Sequence, residues 1–418
     1  MTAHKIFDIA IVGGGLVGAS LACALAPLGY RVAVLEKVPF KAAAQPSYDD
    51  RTLALSHSSC KILEGLGLWA GLTDYATPIR EIIASEAGRF GRVHLKASEM
   101  GIKAFGHVVE ARVFGSVVLA RLEELDGVEF CCPATVEGFE ADKDSALLSL
   151  REDQAGETGK IEARLIVAAD GAGSVIRDLL RVQVQTRDYR QTAVICNITP
   201  ELNHNGRAFE RLTSTGPFAV LPQVGKRCGL VWSVASEDAG KLMEMEETQF
   251  LDAAHKRFGN DLGAFVKMGQ RSSYPLKLVR TKQDVHQRCV ILGNAAHTIH
   301  PVGAQGFNLG LRDVAVLAEL LAANGTGDPG REDLLREYSE WRRPDQDNTV
   351  AWSDGIIRIF ANPAPFLTAL RSAGLLAHAL VPGLRRRLAS SAMGYRGRVP
   401  KLAMGESLNK PETVGRES

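Results

Sequence analysis

Apolar positions along the chain fall into three kinds of run. Near the N-terminus a run that is apolar apart from Asp8 (residues 6–12) precedes an Ala/Leu-rich stretch (16–26) and a second run (31–35) that is apolar after Arg31. Two short apolar runs around a helical segment predict a βαβ unit with strands buried on both faces, and Gly29 is placed to stop the helix. Residues 58–66 and 108–125 have helical spacing, whereas 79–95, 130–139, 146–151 and 160–167 read as strands. From about 186 to 278 the pattern changes to short alternating segments such as PFAVLPQ, CGLVWSVA and RSSYPLKLV. That alternation predicts an antiparallel sheet with one covered face, interrupted by one helix over 246–258. A strand at 290–292 and helices at 309–321, 334–341, 349–360 and 366–379 complete the reading.

Bulk composition narrows the class. The chain has 418 residues, 45% hydrophobic and 23% charged, as expected of a soluble globular protein. Its formal net charge of +1 gives no global field for nucleic acid. The cysteines (Cys23, Cys60, Cys131, Cys132, Cys196, Cys228 and Cys289) form no CxxC pair. This argues against zinc and a disulfide framework and suits a reducing compartment. MTAHK runs directly into the first strand, so no leader peptide is expected. The nearest approach to a membrane span, 356–384, contains Arg358 and Arg371 and is broken by Pro363, Pro365 and Pro382. A cytoplasmic protein is expected.

The first chemical motif lies in the βαβ unit. IVGGGLVGAS carries G-x-G-x-x-G as Gly13, Gly15 and Gly18, and Glu36 and Lys37 follow the second strand. The glycines permit a tight turn, close approach of a pyrophosphate and helix–strand packing, and Glu36 stands where an acid binds ribose hydroxyls. This specifies a dinucleotide but leaves NAD and FAD both open.

Two later stretches add to it. LIVAADGAGSVIRDLL turns through Asp170-Gly171 before a helix with Arg177, and GNAAHTIHPVGAQGFNLGLRDV contains Gly293, Asn294, Pro301, Gly303, Gly306, Phe307, Asn308 and Asp313. In this order the three motifs resemble the single-component flavoprotein aromatic hydroxylases with the para-hydroxybenzoate hydroxylase fold. DDRTLALS (49–56), GHVVEARVF (106–114), AFERLTSTGPFAVLP (208–222) and QGFNLGLRDV are similar to the ubiquinone-biosynthesis hydroxylases acting on polyprenylated phenols, the 2-polyprenyl-6-methoxyphenol hydroxylase group. The resemblance implies an α/β architecture: a Rossmann-like FAD-binding domain (1–75, 100–185 and 280–345), an inserted antiparallel-sheet substrate domain (76–99 and 186–279) and a C-terminal helical region (346–418).

It also implies non-covalent FAD, with NADPH or NADH as reductant and O₂ as co-substrate. The reaction would proceed through a flavin C4a-hydroperoxide and hydroxylate the ring of a lipophilic polyprenyl phenol. Gly13, Gly15, Gly18, Glu36 and Lys37 would hold the ADP part and Asp170 would lie near FAD. Arg51 would contact ribose or phosphates, and Glu110 or Arg112 would border the cofactor. Gly293, Asn294, Pro301, Gly303, Gly306, Phe307 and Asn308 would hold the ribityl chain and ring. The wider family has Asp where this chain has Asn294, which still offers an acceptor oxygen and adds donors.

Independent of the resemblance, Gly303 and Gly306 let backbone approach a flat ring, Pro301 stiffens the turn, and a helix opening at Asn308 and Leu309 would favour negative charge. Pro301, His300 and Phe218 are the candidate catalytic residues. His297 and His300 read first as hydrogen-bonding residues that fix the turn, with proton transfer the alternative. Phe218, Leu221, Pro222 and Trp232 fit either a substrate pocket or core packing, the Cys131-Cys132 pair reads as inert, and no base or metal site stands out. The Arg-rich apolar tail after 360 fits either a helical cap or peripheral contact with the inner face of a bacterial inner membrane, or with other quinone-biosynthesis proteins. A flavin-dependent reductase of isoprenoid or quinone-like substrates, a hydroxylase of another aromatic, and a non-enzymatic flavin scaffold are the alternatives. Oligomeric state is not legible.

Overall fold

The computed structural model describes residues 4–39, 51–87, 91–151, 159–362, 364, 371, 374, 377 and 381–408. One sheet is built on parallel strands in the order β8 (Val128–Cys131), β2 (Val32–Leu35), β1 (His4–Val12), β11 (Lys160–Ala168) and β19 (Cys289–Ile291). The hairpin β9 (Val136–Ala141) and β10 (Ala146–Leu150) joins β11 antiparallel, and β18 (Val285–His286) joins β19. Ile9 and Ile11 face a core shared with α1 (Leu16–Leu25), α4 (Ala111–Glu124) and α8 (Gln305–Asn324). Ala10 and Val12 face the opposite core, with β9, β10 and α5 (Val175–Leu179). Burial on both faces is why the runs Ile9–Val12, Val32–Leu35, Leu165–Ala168 and Cys289–Ile291 are apolar throughout.

A second sheet runs β20 (His297–Thr298), β17 (Ser272–Thr281), β12 (Val184–Pro200), β15 (Cys228–Ala235), β14 (Phe218–Pro222), β13 (Arg207–Leu212), β5 (Glu81–Glu86), β6 (Arg92–Lys96), with β16 (Phe265–Met268) beside β12. One face is covered by α6 (Ser236–Glu244) and α7 (Glu247–Phe258), against which Phe218, Trp232, Phe250 and Phe258 pack. A small sheet of β3 (Thr52–Ser56), β7 (Gly106–Glu110) and β4 (Thr77–Pro78) lies beside α2 (His57–Gly65) and α3 (Trp69–Leu72). Then come α9 (Glu332–Ala361), α10 (Pro382–Ala392) and α11 (Lys401–Met404).

Several expectations change. The stretch 108–125 begins as a strand, because Gly106–Glu110 pairs with both β3 and β4 before α4 starts at Ala111. The helices expected at 334–341 and 349–360 are one helix through Pro344. Proline removes a backbone donor there, but Arg342, Asp345 and Gln346 beside it are tied into a buried network that holds the turn together. The helix α6 was not legible in the sequence. The helix expected over 366–379 lies outside the described residues except Arg371, Gly374 and Ala377.

That network centres on Asp313 of α8, which is fully buried. Its Oδ2 accepts from the Gly293 amide at 3.0 Å and pairs with His297 Nε2 at 2.6 Å, while Oδ1 accepts from Arg342 Nε at 2.8 Å and Gln346 Nε2 at 3.3 Å. Burial alone would raise the carboxyl pKa, but His297 and Arg342 overcome it and hold the group well below the usual carboxylate range. The resulting stability is present at neutral pH and is lost as acid protonates the carboxylate. Asp313→Ala would leave buried Arg342 with only Asp345, which it shares with Arg312, and would strip His297 and the Gly293 amide of their acceptor, so a loss of about 3–5 kcal/mol is expected in denaturant melts. A loss under about 1 kcal/mol would remove the network's structural role.

Candidate active site

At the end of β1 the chain turns through Gly13 at φ 104°, where a Cβ would lie 2.5 Å from the Ala169 carbonyl oxygen. No side chain fits, so backbone forms the floor of the turn. Gly18, one turn into α1, packs against the Gly13 carbonyl, where a Cβ would come within 2.0 Å. Glu36 is aimed by two backbone donors, Gly14 N–H to Oε2 and Val38 N–H to Oε1, both at 2.8 Å. Each oxygen keeps a lone pair for a further donor.

The second motif closes on the third. Asp170 Oδ2 accepts from the Val175 and Ile176 amides at 2.7 and 3.3 Å, and Ser174 Oγ caps Arg177 N–H. Burial raises the Asp170 pKa against these hydrogen bonds, and its Oδ1 is buried with no partner. Arg177 donates to the carbonyls of Ala172 and Ala295, tying the two turns together.

In the third motif Pro301 leads into Gly303, whose φ of 65° and proximity to Trp352 (2.9 Å from a built Cβ) exclude a side chain. Ala304 also takes a positive φ of 50° and caps α8, which begins at Gln305. The free amides of the first turn are therefore those of Gln305, Gly306 and Phe307, not Asn308 and Leu309 as expected. The Asn308 side chain is instead a strut: its Nδ2 donates to Ala54 O and Ala304 O at 2.8 and 2.7 Å, and its Oδ1 accepts from Ser56 N–H at 2.8 Å.

These turns border one continuous cavity of about 1540 Å³. Gly13, Gly15, Glu36, Lys37, Arg51, Asp170, Asn294, Pro301, Gly303, Gly306, Phe307 and Asn308 all line it. Beyond Pro301 the walls turn apolar, with Ile82, Val93, Leu95, Leu221, Val231 and Leu388. The C-terminal region closes this end: Trp352 and Ile356 come from α9 and Ser391 from α10. Arg371 pairs with Glu86 at 3.1 Å, both buried.

Other expected residues stand elsewhere. Phe218 is fully buried against Trp232 on the far side of β14; in a strand successive side chains alternate, so its neighbours Pro217 and Ala219 reach the cavity and it does not. Trp232 shares that core. His300 is buried behind the wall, with Nε2 3.0 Å from Gln191 Oε1 and Nδ1 accepting from the Val302 amide. Burial pushes its pKa down to about 4, so it is neutral and fixes the turn rather than facing the cavity. Gly18 and Gly293 pack inside the protein, and Arg112 pairs with Glu110 at 2.5 Å, so none of the three lines the cavity.

One cavity residue escaped the sequence reading. Glu210 of β13 follows Ala208 and precedes Leu212 along the cavity, while the Phe209 ring packs in the core against Phe258 and Arg211 pairs with Asp261. A carboxylate on the apolar parity of an alternating strand was the available signal.

A family model described as an FAD binding domain matches residues 7–353. A ubiquinone hydroxylase of Rhodospirillum rubrum is 36% identical over 94% of this chain and 91% of its own length. The chain belongs to the FAD-dependent ubiquinone-biosynthesis hydroxylases. Another relative, the 3-demethoxyubiquinol 3-hydroxylase of Escherichia coli, is 31% identical over 93% of this chain and 98% of its own. The p-nitrophenol 4-monooxygenase of Pseudomonas putida shares the fold, with a TM-score of 0.78 at 19% identity over 94% and 99% of the two chains.

The residues present fit the cofactor of these flavoprotein monooxygenases. FAD offers hydroxyls for the unpartnered Asp170 Oδ1 and the spare lone pairs of Glu36, and the side-chain-free floor at Gly13 admits a pyrophosphate. At Gly306 a Cβ would meet only Ile299, at 3.6 Å, so the fold tolerates a larger residue while the cavity does not. Gly306→Val should yield folded protein that melts like the wild-type protein stripped of FAD, with little bound FAD by visible absorbance. Stoichiometric FAD in this variant would remove the first turn of α8 from the cofactor site.

Proposed function

We propose that this enzyme hydroxylates the aromatic ring of a polyprenylated phenol in ubiquinone biosynthesis, taking electrons from NADPH or NADH and one oxygen atom from O₂. The observation that carries the proposal is the continuity of the cavity from the nucleotide turn to an apolar chamber. Cavities for a single drug-sized ligand run to about 1,000 Å³; this one has room for a dinucleotide and an apolar second occupant. FAD, when bound, supplies the electron transfer and the activation of oxygen.

The chain's own residues bind, orient and exclude water. Gly13, Gly15, Glu36 and Lys37 would hold the ADP part, Arg51 the phosphates, and Asp170 and Asn294 the ribityl hydroxyls. Gly303 and Gly306 would allow a flat ring against the backbone, with the Gln305–Phe307 amides toward its most electron-rich edge. Pro301 stiffens the approach, and the apolar walls keep water from the reacting ring. The chamber suits the first isoprene units of a tail. Among the described residues no helix is long and apolar enough to cross a membrane. Exposed Arg386 and Arg387 on α10, close to exposed Val381, support peripheral contact with an anionic bilayer from which such a substrate would come.

The purified, FAD-loaded enzyme should consume O₂ with NADPH or NADH and a prenylated phenol, and mass spectrometry should find one ¹⁸O in the ring product formed under ¹⁸O₂. Nicotinamide oxidation with saturation of a double bond and no ¹⁸O would replace this reading with the reductase.

A further inference from the structure

Among the described residues, the sheet wall of the apolar chamber carries one ionisable side chain with no ionic partner, Glu210. Glu210 lies on β13 with Ala84 of β5 opposite it on one side and Ala219 of β14 on the other. All three residues line the cavity. Two methyl side chains beside a carboxylate leave a notch over it, as wide as the sheet spacing on either side. Across the cavity the carboxylate faces the cofactor turn, whose Gly303 amide favours its charged form. It thus stands between the segment that would carry the flavin ring and the chamber that would take the substrate.

The charges around it are engaged elsewhere. On β5, Glu81 binds His94 at 2.7 Å and Glu86 binds Arg371. On its own strand Arg211 turns to Asp261 at 2.8 Å, and Arg207 lies over the Phe209 ring. β14 and the Pro301–Ala304 turn contain no ionisable residue. Burial pushes the Glu210 carboxyl up to about 7, opposed only by the Gly303 amide. Among the described residues this carboxylate has no ionic partner, and burial penalises its charged form. Neither core packing nor an ion pair accounts for it.

We propose that Glu210 is the catalytic base that takes the proton of the substrate's ring hydroxyl, an inference that rests on the hydroxylase reading above. As the ring gives up electron density its hydroxyl becomes acidic. The phenolic O–H bond breaks, a carboxyl O–H bond forms, and the O–H electron pair stays on the ring oxygen, where it feeds the carbon that accepts the new oxygen. No atom changes oxidation state in the transfer, and the proton leaves the carboxyl to water after product departs. The base is active only when ionised, so activity should rise with pH through about 7.

The test uses the FAD-loaded enzyme, a short-chain prenylated phenol and its methyl ether, with binding read from flavin fluorescence and turnover from the ¹⁸O product. Phenol affinity should tighten about five- to tenfold as pH rises through neutrality, since a hydrogen bond to a charged acceptor is the stronger one. The methyl ether should show no such change. Glu210→Gln should bind FAD normally, lose the pH dependence of phenol binding, and lower kcat by about 100-fold. Glu210→Asp should recover part of the pH dependence. Phenol binding with the same pH dependence in Glu210→Gln, or an undiminished kcat, overturns the assignment. The two readings fail separately: oxygen incorporation with an unaltered Glu210→Gln sinks the base alone. A Glu210-dependent binding limb without ¹⁸O in any product sinks the hydroxylation and leaves Glu210 as the phenol's acceptor.

Discussion

A carboxylate without water, Asp313, sets the geometry on which the cofactor site depends. Its two oxygens collect the Gly293 amide, His297, Arg342 and Gln346. Through Gly293 it fixes where the third turn leaves β19, and through Arg342 it binds that turn to α9. A charge so deeply buried is tolerable only because each oxygen is matched by cationic or amide donors. Arg342 in turn shares Asp345 with Arg312 of α8, so the pair extends into a chain of alternating charges. The arrangement places rigidity behind the cofactor turn and leaves the cavity side for ligand.

What could be read from the sequence were the places where backbone geometry demands a particular residue. Gly13 and Gly303 are needed by turns that no side chain can enter, so the motifs stand out even in isolation. The parallel strands were legible because burial on both faces leaves continuous apolar runs such as Ile9–Val12 and Leu165–Ala168. The start of α8 was misplaced because Gly303 and Gly306 look alike in sequence, yet one is left-handed and the other is already helical. Nothing local distinguishes them.

Side-chain destinations were the less legible part. Phe218 and Glu210 both lie on alternating strands, and alternation reveals two faces without naming which one meets the cavity. Only the placement of α6 and α7 over one face decides it, and α6 was itself hidden in an alternating stretch. Two of the partners of Asp313, Arg342 and Gln346, come from a helix about thirty residues further on, whose continuity through Pro344 runs against local preference. Tertiary contact overrode propensity there.

The Asn308 strut has a consequence for how the molecule is assembled. Its amide clasps Ala54 and Ser56, more than 250 positions earlier in the chain. The strand leading away from Arg51 therefore has its lock only after the ribosome has passed residue 308. A nascent chain with its βαβ unit complete still lacks half of the cradle, and the full dinucleotide meets a closed site only when synthesis is nearly over. A ligand filling the cavity would touch both parts, and so would bridge segments more than 250 positions apart.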